Sequence, residues 1–205
     1  MINVPWVVFV ADLEKVLDGC DTVLDVGCGA NSSLHFIKRR KKYTMGVEAD
    51  AVSVKRSQEK NIHDAYKVLD VQNLSSAFEP KSFDAVLGID VIEHLSRSKS
   101  EKLLEAMERI AAKRIVVVTP NGFILQTGEG NQLQIHRCGW EVKDFLDRGY
   151  TVRGLYGWKK LRKEEGALRF RPKIICGVLS LLTNYLYTHN NPQAAYSLFA
   201  WKNVN

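Results

Sequence analysis

The sequence predicts an α/β chain: a doubly wound, mostly parallel seven-stranded sheet, its last strand antiparallel, with helices on both faces. Three observations carry that expectation. Short apolar runs rich in branched residues alternate with longer segments of helical spacing, the order that a parallel sheet with crossover helices requires. A glycine pair spaced by one, Gly27 and Gly29, follows the first run, where open parallel sheets bind ligands beyond their carboxyl edge. Acidic residues recur at the ends of the first four runs: Asp25, Glu48, Asp70 and Asp90.

Taken in order, "TVLDVG" (22–27) reads as a buried strand and "NSSLHFIKRRK" (31–41) as the helix after it. The second strand is "YTMGVE" (43–48), with a helix in "AVSVKRSQEK" (51–60). "AYKVLD" (65–70) and "FDAVLGI" (83–89) are the third and fourth strands. "SKSEKLLEAMERIAA" (98–112) has a serine start and apolar spacing of three and four, a helix signature, and "RIVVVT" (114–119) is the fifth strand. After Pro120-Asn121-Gly122 the rhythm changes. A helix over 139–149 ending at Gly149, a strand over 150–157, an amphipathic segment over 174–187 and a last strand over 195–203 complete the order. With no internal repeat, this is one domain, 1–205, with a basic and apolar insertion at about 157–190.

Bulk properties exclude several classes. The chain has 205 residues, 45% hydrophobic and 25% charged, as an ordinary globular protein does. Four scattered cysteines with no C-x-x-C pair support neither a zinc knuckle nor a disulfide framework, and fit a reducing cytoplasm. The first residues lack the basic start and small-residue cleavage site of a signal peptide, so a cytoplasmic location is expected. The apolar run at 174–182 is too short to span a bilayer. The net charge of +6 is concentrated at 153–173, which holds eight basic and two acidic residues. Such a window is either a solvated connection or a surface that meets an anionic partner, peripheral membrane contact through 153–187 included. A second basic run, 38–42, falls at the expected end of the first helix, where cations suit the dipole. Nucleic acid is not expected there, because the strand-end carboxylates would repel phosphates.

The glycine loop "VGCGANSS" (26–33) lets backbone approach a ligand closely. Asn31 stands where many such loops have a third glycine, and tolerates left-handed backbone angles better than other residues. A dinucleotide fingerprint would want a small residue at Ser32, and a nicotinamide-dependent oxidoreductase is the weaker alternative for that reason. Glu48, 19 residues past Gly29, is placed to take both hydroxyls of a ribose.

The set "VLDVGCG", "GVEAD", "LDVQNL", "SFDAVLGIDVIEHL" and "RIVVVTPNG" resembles the class I S-adenosylmethionine-dependent methyltransferases over about residues 20–155. The resemblance implies S-adenosylmethionine as cofactor and S-adenosylhomocysteine as product. It implies that Asp25, Gly27, Cys28 and Gly29 hold the methionine part, Glu48 and Ala49 the ribose, Asp70 and Val71 the adenine, and that Asp90 lines the floor beside the sulfonium. Acceptor chemistry is less legible. No N-P-P-Y-like tetrapeptide occurs, and "GIDVIEHL" stands in its place, which favours a hydroxyl on a small-molecule, glycan or lipid-linked acceptor. An RNA or protein acceptor, or a non-catalytic cofactor-binding partner subunit, are the alternatives. His94, Glu93 and His136 are the candidate bases. Asp90, Glu93 and His94 share one helical face, and with His136 they form a possible divalent-ion set; similar blocks occur in small-RNA 2′-O-methyltransferases. The oligomeric state has no signature.

Overall fold

A computed structural model describes residues 4–37, 41–126, 132–163, 169 and 173–204. Seven strands form one sheet: β1 (Thr22–Val26), β2 (Tyr43–Glu48), β3 (Ala65–Val68), β4 (Phe83–Ile89), β5 (Ala111–Pro120), β6 (Thr151–Trp158) and β7 (Ala195–Asn203). Their order across the sheet is β3-β2-β1-β4-β5-β7-β6. β1 pairs in parallel with β2 on one side and β4 on the other, with Val23 opposite Thr44 and Ala85. The chain winds outward from β1 to β3, then returns to β4, so the order reverses between β1 and β4 and opens a crevice at their carboxyl ends. β7 runs antiparallel to both β5 and β6, as expected of the last strand.

The period-two pattern divides the core into two layers. On one face, Val23, Ala85, Leu87, Val116, Val118 and Phe199 are buried. The helix α1 (Val4–Val16) covers them with Phe9, Leu13, Val16 and, just past its end, Leu17, at the i, i+4, i+7, i+8 spacing of an apolar stripe. Phe9 meets Phe199 edge-on at 6.0 Å between centroids, and burying such a ring contributes about 1.5–3 kcal/mol. The sequence reading assigned no element there. On the other face, Leu24, Val86, Ile115, Val117 and Leu198 lie under α4 (Arg97–Ile110), which buries Leu103, Leu104, Met107 and Ile110. The short helices α2 (Ala51–Glu59), α3 (Leu74–Ala77) and α5 (Val142–Leu146) complete the cover.

The helix expected over 31–41 is a single 3₁₀ turn, Ser33–Phe36. Ser32 starts it by accepting from the Leu34 amide at 3.1 Å, while its hydroxyl donates to Asp25, so the segment is tied down locally instead of propagating. Residues 38–40 of the basic run lie outside the described residues. Lys41 donates to the Leu17 carbonyl at 2.7 Å, and Lys42 pairs with Asp21 at 2.9 Å. Between β6 and β7 come a 3₁₀ turn, Lys159–Leu161, then α6 (Lys173–Thr183) continued by a π turn, Asn184–Thr188.

Candidate functional site

A cavity of about 460 Å³ lies in the crevice beyond β1, β2, β3 and β4, within the usual range for small-molecule sites. Its wall begins with the glycine loop. Gly27 has φ +70°, and a Cβ there would stand 2.5 Å from Val91 Cγ2, so this position excludes any side chain. Gly29 has φ +56° with open space where its Cβ would be. Its amide donates to Glu48 Oε2 at 3.0 Å, and the Asp50 amide donates to Oε1 at 3.0 Å. Two backbone donors thus fix the carboxylate at the rim of the cavity while each oxygen keeps a lone pair. Asp70 starts a 3₁₀ turn by accepting from the Gln72 amide at 2.9 Å.

Gly27, Gly29, Glu48, Ala49, Asp70, Val71 and Asp90 all line the cavity. Asp25 and Cys28 do not. Asp25 lies within β1, buried under the loop, where Ser32 donates to it and His63 Nε2 approaches Oδ2 at 3.4 Å without hydrogen-bond alignment. Asp25 therefore organises the loop from behind instead of facing a ligand. The Cys28 thiol is also buried, its pKa pushed up by burial and then by Asp25 and Glu48. Asn31 has no left-handed backbone angle; its side chain accepts from Lys60, which also binds the Ala30 carbonyl at 2.9 Å.

Asp90 sits on the cavity floor at φ +53°, a strained angle held by its amide bond to the Val118 carbonyl at 2.9 Å. Solvent reaches its side chain through the cavity, yet protein surrounds it, and that burial pushes its pKa up to about 6. Glu93 is fully enclosed. Thr119 donates to its Oε2 at 3.0 Å, and burial, then the charge of Asp90, raises its pKa well above the carboxylate range.

His94 lines the cavity, and its ring lies 4.9 Å from that of His136 between centroids. His136 Nδ1 is 2.7 Å from the Ile124 carbonyl and His94 Nδ1 is 3.4 Å from that of Ile135. A carbonyl only accepts, so Nδ1 carries the proton in the tautomer that makes these two contacts, and the His94 ring also meets the backbone carbonyls of Asp90 and Gln134. Burial, then the facing His136, lowers the His94 pKa. Ligand atoms of Glu93, His94 and His136 lie within 4.8 Å of one another; among the described residues Asp90 is not part of that group. The segment bearing His136 is pinned by main chain: the amides of Arg137 and Cys138 donate to the Glu93 carbonyl at 2.7 and 3.2 Å, and Gly122 donates to the Trp140 carbonyl at 2.7 Å. Arg97 braces it further, lying 3.8 Å over the Trp140 ring and gripping Asp144 with two nitrogens.

Gln72, Lys99, Gln132, Leu133, Gln134 and Arg137 also line the wall, and none was singled out by the sequence. They come from loops and from the start of α4, where no periodicity marks them.

Residues 24–119 match the family model described as a methyltransferase domain. Among solved structures the chain is similar to an S-adenosylmethionine-dependent methyltransferase from Archaeoglobus fulgidus, at 17% identity and TM-score 0.62, covering 97% of this chain and 94% of that one. It is similar to the plantazolicin methyltransferase BamL, solved with a desmethyl analogue and S-adenosylhomocysteine, at 12% identity and TM-score 0.61 over 99% and 85%. It is also similar to the magnesium protoporphyrin IX methyltransferase of Synechocystis PCC 6803, solved with S-adenosylmethionine, at 15% identity and TM-score 0.59 over 98% and 81%. A comparison with curated protein sequences finds no match.

Proposed function

We propose that this chain is an S-adenosylmethionine-dependent class I methyltransferase and that it delivers its methyl group to a hydroxyl on a small-molecule, glycan or lipid-linked acceptor. The observation that carries this reading is the pair His94–His136: His94 lines the cavity together with Asp90, and the His136 ring faces it at 4.9 Å between centroids. The bound cofactor supplies a methyl group on a cationic sulfur, and its leaving group needs no proton. A hydroxyl acceptor does have a proton to lose, and a neutral imidazole is the suitable base.

The other residues bind and orient. Glu48, with a lone pair free on each oxygen, takes the ribose hydroxyls. Asp70 and Val71 border the adenine, the exposed backbone at Gly29 admits the methionine part, and Asp90 places negative charge near the sulfonium. Alignment of this kind accounts for several kcal/mol of barrier lowering.

The test is methyl-labelled S-adenosylmethionine added with the protein to an extract of its source cells, followed by partition between organic solvent and water. Label in a hydroxyl-derived ether supports the reading. Label confined to RNA, protein amines or carboxylates sinks it, and no transfer at all favours a cofactor-binding partner subunit.

A second reading rests on the approach of Glu93, His94 and His136 within 4.8 Å. Two imidazoles and a carboxylate suit a divalent ion such as zinc or iron, whose binding would displace the proton that burial keeps on Glu93. The ion would hold the acceptor oxygen and lower its pKa. Calorimetry with zinc and turnover after chelation decide it: no ion bound and turnover unchanged leaves the imidazoles as bases alone.

A further inference from the structure

Helix α6 and its π turn are built inside out. Their buried positions are Cys176, Ser180, Asn184 and Thr188, spaced by four along one face, and three of these are polar. That face is bonded to β6. The Ser180 hydroxyl donates to the Tyr156 carbonyl at 3.0 Å, Asn184 Oδ1 accepts from the Gly157 amide at 3.1 Å, and Thr183 Oγ1 accepts from the Trp158 amide at 3.2 Å. Glycines allow the approach: a Cβ on Gly157 would lie 2.2 Å from the Ser180 carbonyl, and one on Gly154 2.1 Å from that of Thr188.

The opposite face carries Ile175, Val178, Leu179, Leu182 and Leu186, all exposed at helical spacing. Tyr185 and Tyr187 flank its far end, and Tyr185 and Leu186 are 76% and 73% exposed. Surface helices of water-soluble domains turn the other way, apolar stripe inward. A contiguous stripe held outward by a polar face bonded to β6 marks a surface with an apolar partner. No helix among the described residues is long and apolar enough to cross a membrane. The partner's charge is legible as well. Exposed Lys159, Lys160, Lys163 and Arg169 precede α6 in the chain. An identical face on a second copy would bring like charges together, whereas anionic headgroups complement them.

We propose that α6 and its π turn dock the protein on an anionic lipid bilayer, with the apolar stripe in the acyl boundary and the lysines at the headgroups. Tyrosines at the end of the stripe suit that interface, being apolar in body and polar at the tip. The proposal stands apart from the acceptor reading, because lipid binding is measured without cofactor or turnover.

The experiment is co-sedimentation of the full chain with vesicles of phosphatidylcholine alone and of equal parts phosphatidylcholine and phosphatidylglycerol. The expected result is binding to the anionic vesicles that weakens with salt, falls at least tenfold in Leu182→Glu/Leu186→Glu, and falls several-fold in Lys159→Glu/Lys160→Glu. All four positions are exposed, so unchanged melting temperatures should accompany the losses. Absence of binding, or binding indifferent to the leucine substitutions, overturns the proposal. So does a concentration-dependent dimer, seen by light scattering without vesicle binding and lost in the leucine variant, which would assign the stripe to a second copy.

Discussion

The His94 and His136 rings face each other 4.9 Å apart between centroids, each with Nδ1 at a backbone carbonyl. Removing either imidazole should therefore cost turnover without costing cofactor affinity. His94→Ala and His136→Ala are expected to lower kcat by about 10²–10⁴-fold, with S-adenosylhomocysteine affinity by calorimetry unchanged. Because burial lowers the His94 pKa, its basic form persists to lower pH than in a free histidine. The rate should rise to a plateau as pH climbs through a value below about 6.5. Turnover in both alanine variants comparable to that of the parent chain would refute the role.

The two loop glycines should fail differently. Gly27→Ala must adopt a left-handed angle and drive Cβ to 2.5 Å from Val91, a loss of about 2–5 kcal/mol in stability from strain and overpacking. Gly29→Ala meets open space, so it should lose only about 1–2 kcal/mol, while its methyl group obstructs the cavity. Thermal melts and cofactor titration together check this: the first variant should lose melting temperature, the second affinity.

Glu48→Ala should weaken cofactor binding by about 1.5–3 kcal/mol, the usual cost of deleting a charged hydrogen-bonding group. The Gly29 and Asp50 amides lose their acceptor at the same time. Glu48→Gln, which keeps one acceptor oxygen, should fall between. Unchanged affinity in Glu48→Ala would remove the ribose assignment.

Asp90→Asn should stabilise the empty protein above neutral pH. The carboxyl is pushed up to about 6 from the ordinary aspartate value of 3.8. The folded state thus binds the proton more tightly, and stability falls as pH rises between those values. Asparagine removes that cost. Discounted for the water that reaches Asp90 through the cavity, the gain at pH 8 is on the order of 1 kcal/mol, or about 2–4 °C in Tm. It should vanish near pH 4, and methyl transfer should fall in the same variant. An equal Tm difference at both pH values would show that packing, not ionisation, is responsible.

What the sequence disclosed and what it withheld follow one physical line. All seven strands were legible: β1, β4 and β5 as buried, branched apolar runs, and the edge and antiparallel strands by their place in the alternation of strand and helix patterns. The carboxylates Glu48, Asp70 and Asp90 were legible as cavity residues because they end strands at the switch point. The side to which Asp25 turns was not legible, since a residue inside a strand can line the cavity or face a buried histidine, and His63 is 38 positions away in the chain. The segment 31–41 has helical composition, but Ser32 is engaged with Asp25 and starts a single turn. The walls formed by Lys99, Gln132 and Arg137 are set by tertiary packing, which has no local pattern to read. For α6 the amphipathic pattern was visible but its direction was not; the glycines at 154 and 157 that draw its polar face onto β6 are distant in sequence.

The main-chain bonds at Gly122 and at Arg137 and Cys138 hold this part of the wall with backbone atoms that every amino acid carries. Gln132, Leu133 and Gln134, which line the cavity, can therefore be exchanged for other side chains without loosening the bonds that place His136. The shape of the wall and the position of the imidazole are separate variables.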